Sequence, residues 1–236
     1  MPTIPRLHTE AVLTPGAAID ATQAQAHYLG TVLRARPQDP VHLFNGRDGE
    51  WLAHIATLRR DRLTLTVRHL RRPQHPEPDL WLIFALLKRD ATDLVVQKAT
   101  ELGVSALHPV LTARTNAART NQDRLAAIAI EAAEQSERLT VPAIRPPRHL
   151  SELLAGWPKN RPLYAAVERA PNAAPLRPTN QPAALLVGPE GGFTPDELEA
   201  MALHPFVTRV SLGPRILRAE TACVAGLALL QAPLCG

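Results

Sequence analysis

Ala184-Leu185-Leu186-Val187-Gly188-Pro189-Glu190-Gly191-Gly192-Phe193-Thr194-Pro195-Asp196-Glu197-Leu198 reads as a strand, a tight loop and a sharply defined helix start. Residues 184–187 form an apolar run bounded by turn residues, the pattern of a strand covered on both faces. Gly188, Gly191 and Gly192 adopt backbone angles that other residues resist and let a ligand approach the main chain closely. Thr194 with Glu197 three residues on makes a capping box, and Pro195 suits the first helical position. Phe193 and Leu198 stand where a hydrophobic staple needs them. A loop of this kind, at the carboxyl end of a strand, is where open α/β sheets bind ligands.

Outward from that stretch, strand and helix patterns alternate. Strands are expected at 80–87, 104–111, 163–167 and 207–212, and helices at 93–102, 123–139 and 219–231. The last helix is nearly all apolar and must be buried. Such alternation predicts an α/β fold with a mostly parallel sheet over residues 80–236. Residues 73–79 carry three prolines and no apolar side chain except proline, and read as a linker. Residues 1–72 read as a small β-rich unit, with strands at 41–44, 51–55 and 63–67, a turn at Asn45-Gly46, and a helix at 24–33. Residues 172–182, rich in Pro, Asn and Ala, read as a loop.

Composition bounds the chemistry. Aromatic residues are only 4% of the chain, which argues against extensive stacking of bases on aromatic platforms. A formal charge of +4 and a pI near 9.6 suit an RNA partner and equally a basic enzyme of small molecules. Arginines and histidines are dense in the first 72 residues, and fit either a phosphate-binding face or a solvated surface. Cys223 and Cys235 form no CxxC pair or Cys/His cluster, so no metal is expected, and Cys223 reads as a core residue. The first residues show no apolar signal region, and the longest apolar run, 222–230, is too short to span a bilayer. These features make a soluble, cytoplasmic protein the expectation.

A second glycine loop, Leu212-Gly213-Pro214-Arg215-Ile216-Leu217-Arg218-Ala219-Glu220-Thr221, follows the strand at 207–212 and emerges at the same sheet edge as the first. Neither loop is a Walker A loop, since no Gly-Lys-Ser/Thr follows, and neither is GxGxxG. Together, LLVGPEGGFTPDEL and VSLGPRILRAETA resemble the RsmE family of 16S rRNA uridine-N3 methyltransferases, of the SPOUT class. The similarity extends through His27-Tyr28-Leu29 with Val32-Leu33-Arg34, through Lys88 and the segment Gln97 to Val104, and through Ala133-Glu134-Gln135-Ser136 with Arg138.

That resemblance implies a C-terminal α/β domain tied in a trefoil knot, an exception to the near absence of knots. It also implies a small N-terminal PUA-like β-barrel that binds RNA, S-adenosylmethionine as cofactor, and a homodimer as the active unit. The reaction implied is methylation of uridine 1498 at N3, near the decoding site, during small-subunit maturation. Cofactor contacts would come from Leu186, Gly188, Pro189, Glu190, Gly191, Leu212, Gly213, Ile216, Leu217, Arg218, Glu220 and Thr221. RNA contacts would come from Arg6, His27, Arg34 and Lys88. The sequence departs from the family at Pro37-Gln38-Asp39, where a Gly-Asp turn is usual, and at Leu7-His8, where an aromatic pair is usual.

Uridine N3 is a weakly acidic imide nitrogen, so catalysis needs alignment and stabilisation of a developing anion. Arginine suits that task, and a carboxylate could take the proton. The catalytic candidates are Arg114, Glu134, Gln135, Arg138 and Arg218. Glu134 and Arg138 also fit a simple i, i+4 ion pair, and Glu220 could merely complement a helix dipole. Arg218, beside a buried helix, is expected to need a partner. Methylation of another RNA position, such as a ribose 2′-hydroxyl, and non-catalytic RNA binding are the alternatives. A nucleotide-phosphate enzyme would lack both its P-loop lysine and its metal carboxylates.

Overall fold

The computed structural model describes residues 4–59, 62–115, 120–168, 173–179 and 182–232. The chain divides into two compact units: Met1–Pro76 with Ala133–Val141, and Glu77–Ala132 with Pro142–Gly236.

In the first unit, β1 (Arg6–His8), β2 (Ala18–Asp20), α1 (Gln23–His27), β3 (Pro40–Phe44), β4 (Glu50–Arg59) and β5 (Arg62–Arg72) follow in order. The sheet runs β1-β3-β4-β5-β2. Its central strands are antiparallel neighbours, and β1 lies parallel to β3. Strict alternation in β5 buries Leu63, Leu65 and Val67, which pack with Val41, Leu43, Ala53 and Ile55 into one core. The single helix expected at 24–33 breaks in two: α1, held by a Thr22–Gln25 capping box, passes into a π-helical turn at Tyr28–Val32. That turn keeps Leu29 fully buried while Tyr28, Val32 and Leu33 stay exposed.

The second unit holds β6 (Leu80–Ala85), α2 (Arg89–Glu101), β7 (Ala106–Leu111), α3 (Gln122–Gln135), β8 (Ala143–Ile144), β9 (Arg148–His149), α4 (Leu150–Ala155), β10 (Leu163–Ala166), β11 (Ala174–Pro175), β12 (Ala183–Val187), α5 (Pro195–Ala202), β13 (Val207–Ser211) and α6 (Ala219–Gln231). The last three residues of α3 belong to the first unit. The sheet order is β11-β13-β10-β12-β6-β7-β8, with β9 also on β7, and every pairing is parallel. Every residue of β12 is buried, as expected for the middle of a covered parallel sheet. The 172–182 stretch, read as a loop, contributes β11, whose Ala174 and Pro175 extend the sheet beside β13.

The end of α3 departs from the sequence pattern for a clear reason. The pattern extends to 139, but the helix ends at Gln135. Glu137 takes a left-handed φ of 61°, and the Arg138 N–H donates to the Ala133 carbonyl. This is the Schellman arrangement, which closes a helix regardless of the apolar residues beyond it. The segment Ala133–Val141, expected with residues 80–236, packs instead in the first unit, where Ala133, Leu139 and Val141 surround the buried Phe44.

Candidate active site

Register fixes the site. Ala166 of β10 is level with Val187 of β12 and with Val210 of β13. Three parallel strands therefore end together, and the segments after them wall a cavity of about 730 Å³. That volume is in the range of small-molecule sites. Gly188, Pro189, Glu190 and Gly191 form one side, Leu212, Gly213, Ile216 and Leu217 another, and Ala219 and Ala222 at the start of α6 a third. The two glycine loops thus meet at one edge.

The first loop is built by local chemistry. Gly192 N–H donates to the Pro189 carbonyl at 2.8 Å, closing a turn in which Gly192 has a φ of 67°. A non-glycine residue suffers a steric penalty there. Thr194 accepts from Glu197 N–H, and the Glu197 carboxylate returns to Thr194 N–H. The second carboxylate oxygen of Glu197 accepts from Ala113 N–H at 2.8 Å, and Arg114 Nη1 donates to the Gly191 carbonyl at 2.6 Å. The loop after β7 is thereby clamped to the glycine loop, and Arg114 is brought beside the cavity.

Gly188 and Gly191 were expected to clear a path for the ligand. The structure gives each a different reason. A Cβ on Gly188 would lie 3.0 Å from the buried Phe193 ring, and one on Gly191 would lie 3.3 Å from Cδ of Arg114. The first glycine accommodates a core aromatic that lines the cavity, and the second accommodates the clamp.

Other expected contacts fall outside the cavity lining. Leu186 is fully buried among Ile83, Leu163 and Met201, on the core side of β12. Glu220 and Thr221 lie in the first turn of α6, and Arg218 is its N-cap. Arg218 is exposed, so solvent meets the need for a partner that the sequence suggested. Conversely, Glu168 lines the cavity without having stood out in the sequence. Its only sequence signal is its place directly after the strand at 163–167, since no glycine marks that loop.

Glu134, Gln135 and Arg138 belong to the first unit, and none lines the cavity. Glu134 Oε1 accepts from His8 N–H at 2.8 Å. Gln135 is exposed and Arg138 is buried. Arg6, expected on an RNA surface, turns its side chain inward: its Nη1 donates to the carbonyls of Ala133 (2.9 Å) and Glu134 (2.7 Å), and its Nη2 to that of Arg138 (2.6 Å). Ala133 and Glu134 lie in the last turn of α3 and Arg138 just beyond it, so the guanidinium sits where a helix end favours a cation. Its Nε donates to Glu50 Oε1 at 2.7 Å. His27, Arg34 and Lys88 are exposed, and Arg34 has a φ of 54°.

Among the described residues no cluster of His, Cys, Asp or Glu has metal-ligand geometry, and no helix is long and apolar enough to cross a membrane. Cys223 is buried, and desolvation pushes its thiol far above the usual range.

Comparisons with known proteins match this architecture. Residues 74–231 match the RNA methyltransferase domain family, and residues 21–68 the RNA methyltransferase PUA domain family. The ribosomal RNA small subunit methyltransferase E of Rickettsia conorii is 36% identical over 231 residues, 96% of this chain and 94% of that protein. The protein of the same name from Synechocystis is 35% identical, covering 92% of this chain and 74% of its own length. The crystal structure of a ribosomal RNA small subunit methyltransferase E from Neisseria gonorrhoeae, bound to S-adenosyl methionine, superposes with a TM-score of 0.88 at 32% identity and covers 98% of both chains. With a PUA-type unit preceding a parallel sheet whose loops wall a cavity, and at this identity over nearly the full length, the chain belongs to the ribosomal RNA small subunit methyltransferase E family.

Proposed function

We propose that the chain methylates N3 of a uridine in 16S rRNA, position 1498, during small-subunit maturation, with S-adenosylmethionine as cofactor. The observation that carries this reading is the cavity where β10, β12 and β13 end level with one another. Its lining suits the cofactor's three parts. Leu212, Ile216 and Leu217 offer apolar side chains and main-chain groups for an adenine. Glu190 and Glu168 supply acceptors for ribose hydroxyls. The N-terminus of α6, whose Ala219 and Ala222 reach the cavity, favours a carboxylate.

When bound, S-adenosylmethionine supplies an electrophilic sulfonium methyl. The chain's own residues have to align the uracil and stabilise the charge that develops as N3 loses its proton. Arg114 is held against the glycine loop through one Nη, which leaves other N–H groups for the uracil oxygens. Arg218 stands exposed at the opposite loop. A homodimer is part of this proposal, and Glu134, Gln135 and Arg138 remain its further candidates for aligning the uracil. The trefoil knot and a cytoplasmic setting belong to the same reading.

The test compares 16S rRNA from wild-type and deletion cells by nucleoside mass spectrometry. Loss of 3-methyluridine on deletion is expected, and its persistence refutes the assigned reaction. Titration calorimetry of the purified chain with S-adenosylmethionine should show binding, and a silent titration refutes the cofactor assignment.

A further inference from the structure

The second unit carries a cationic strip that the proposed reaction has not used. β9 pairs with the carboxyl half of β7, Val110 level with Arg148 and Leu111 with His149. It therefore lies at the same sheet edge as the glycine loop. Arg145, just before it, is fixed by its main chain: its N–H donates to the Leu107 carbonyl, and its carbonyl accepts from Gln122. The side chains of Arg145, Arg148 and His149 are exposed, and among the described residues none forms an ion pair. Glu152 is the single carboxylate between residues 140 and 160.

Beneath the strip, His108 stacks on Trp81 at a centroid distance of 4.8 Å, and its Nε2 is buried without a partner. Burial pushes its pKa down to about 4, and the nearby guanidinium groups of Arg145, Arg148 and Arg161 add to the effect. Arg161 is paired with Asp79, whereas among the described residues no carboxylate is set against Arg145 or Arg148. Along the sheet edge, the order is β9, β7, β6, β12. Strand spacing puts β9 about 14 Å from the glycine loop. Arg114, after β7, and Lys88, after β6, fall between them.

We propose that Arg145, Arg148 and His149 bind phosphates of the RNA strand flanking the target nucleotide. The strip starts a phosphodiester track that runs by Arg114 and Lys88 to the cavity mouth. The proposal rests on the RNA methyltransferase reading and extends it to a surface outside the PUA-type unit. An extended polyanion fits better than a lone anion, because these side chains are exposed and, with Arg114 and Lys88, are spread over several strand spacings.

The experiment uses the full chain with Arg145→Ala and Arg148→Ala combined. Lys98→Ala serves as a charge control, since Lys98 lies in the last turn of α2, at the opposite edge, and pairs with Glu101. RNA binding and methyl transfer are measured over a series of salt concentrations. The double variant should raise KM for RNA at least tenfold. The slope of log affinity against log salt should become shallower by about 1.4, roughly 0.7 for each single-strand phosphate that is no longer neutralised. The kcat, the Kd for S-adenosylmethionine and the melting temperature should match wild type. An unchanged KM and slope overturn the track, as does a loss confined to kcat. Wild-type protein that neither binds nor methylates RNA overturns the underlying reading as well, so the two failures are distinguishable.

Discussion

Replacing Glu50 with alanine should loosen the first unit while leaving the cofactor-site unit folded. Glu50 is 2% exposed and accepts from Arg6 Nε (2.7 Å) and from Arg72 Nε (2.8 Å) and Nη2 (2.9 Å). Arg6 is 7% exposed and carries the carbonyls of Ala133, Glu134 and Arg138 on its other nitrogens. Without Glu50, a buried guanidinium is left without its counter-charge. Removing one partner of a buried pair costs about 3–5 kcal/mol. Arg72 is 36% exposed, so its share is screened, and the lower part of that range, about 3 kcal/mol, applies. At 1.4 kcal/mol per tenfold change, amide exchange through opening of this unit should accelerate by about two orders of magnitude. Hydrogen-exchange mass spectrometry at pH 7 reads this directly. Peptides spanning 40–59, 62–72 and 133–141 should lose protection, while those spanning 183–187 and 207–211 keep theirs. A pH series adds an independent check. Burial raises the Glu50 pKa, but hydrogen bonds from Arg72 and Arg6 and their charges outweigh it and hold the carboxyl below its usual 4.5. Its contribution is therefore in place above pH 4.5 and is lost as pH falls through the lowered native value. Glu50→Gln should remove that acid-dependent component. A change of less than about 1 kcal/mol in the first unit, or equal loss of protection in both, would refute the reasoning.

Three further perturbations follow from named contacts. Gly188→Val should weaken S-adenosylmethionine binding at least tenfold by displacing Phe193, whereas Gly191→Ala should stay within about threefold of wild type, because the exposed Arg114 chain can shift; calorimetry that finds the two equally damaging contradicts this. His108 has a native pKa of about 4 against 6.5 unfolded, so the unfolded chain binds more protons between those values and stability falls as pH drops through that window. Discounted for partial exposure, wild type should lose about 2 kcal/mol more than His108→Phe between pH 6.5 and 4, measured by urea unfolding, and parallel curves refute it. Glu137→Gly should stabilise the first unit by about 1 kcal/mol, since glycine adopts the left-handed angle at the end of α3 without the steric penalty; a lower urea midpoint contradicts it.

What the sequence made legible was local. The capping box at Thr194–Glu197, the apolar run of β12 and the span of α6 are each set by residues within a few positions of one another and stand where the pattern put them, although α6 buries one face and leaves Ala228 and Leu229 exposed. Parallel pairing then follows from alternation, and the meeting of the two glycine loops follows from parallel pairing. The failures have the opposite character. The carbonyl partners of Arg6 lie 127 to 132 positions away and Glu50 lies 44 away, so an exposed arginine and one set at a helix end look identical in sequence. Glu168 has a site only because β10 ends level with β12 and β13, a matter of register that no single strand encodes. Leu186 shows the same limit within one strand. A run buried on both faces gives no period-two signal, so nothing told Leu186, turned toward the core, from Val187, which reaches the cavity. The glycines make the point most sharply. Sequence identified positions that exclude a side chain, but the reason for exclusion is whatever lies opposite, a Phe193 ring at Gly188 and an arginine clamp at Gly191. Only the first of these walls the cavity rigidly, and the contrast between the two substitutions is therefore a test of packing that the motif alone would have treated as one.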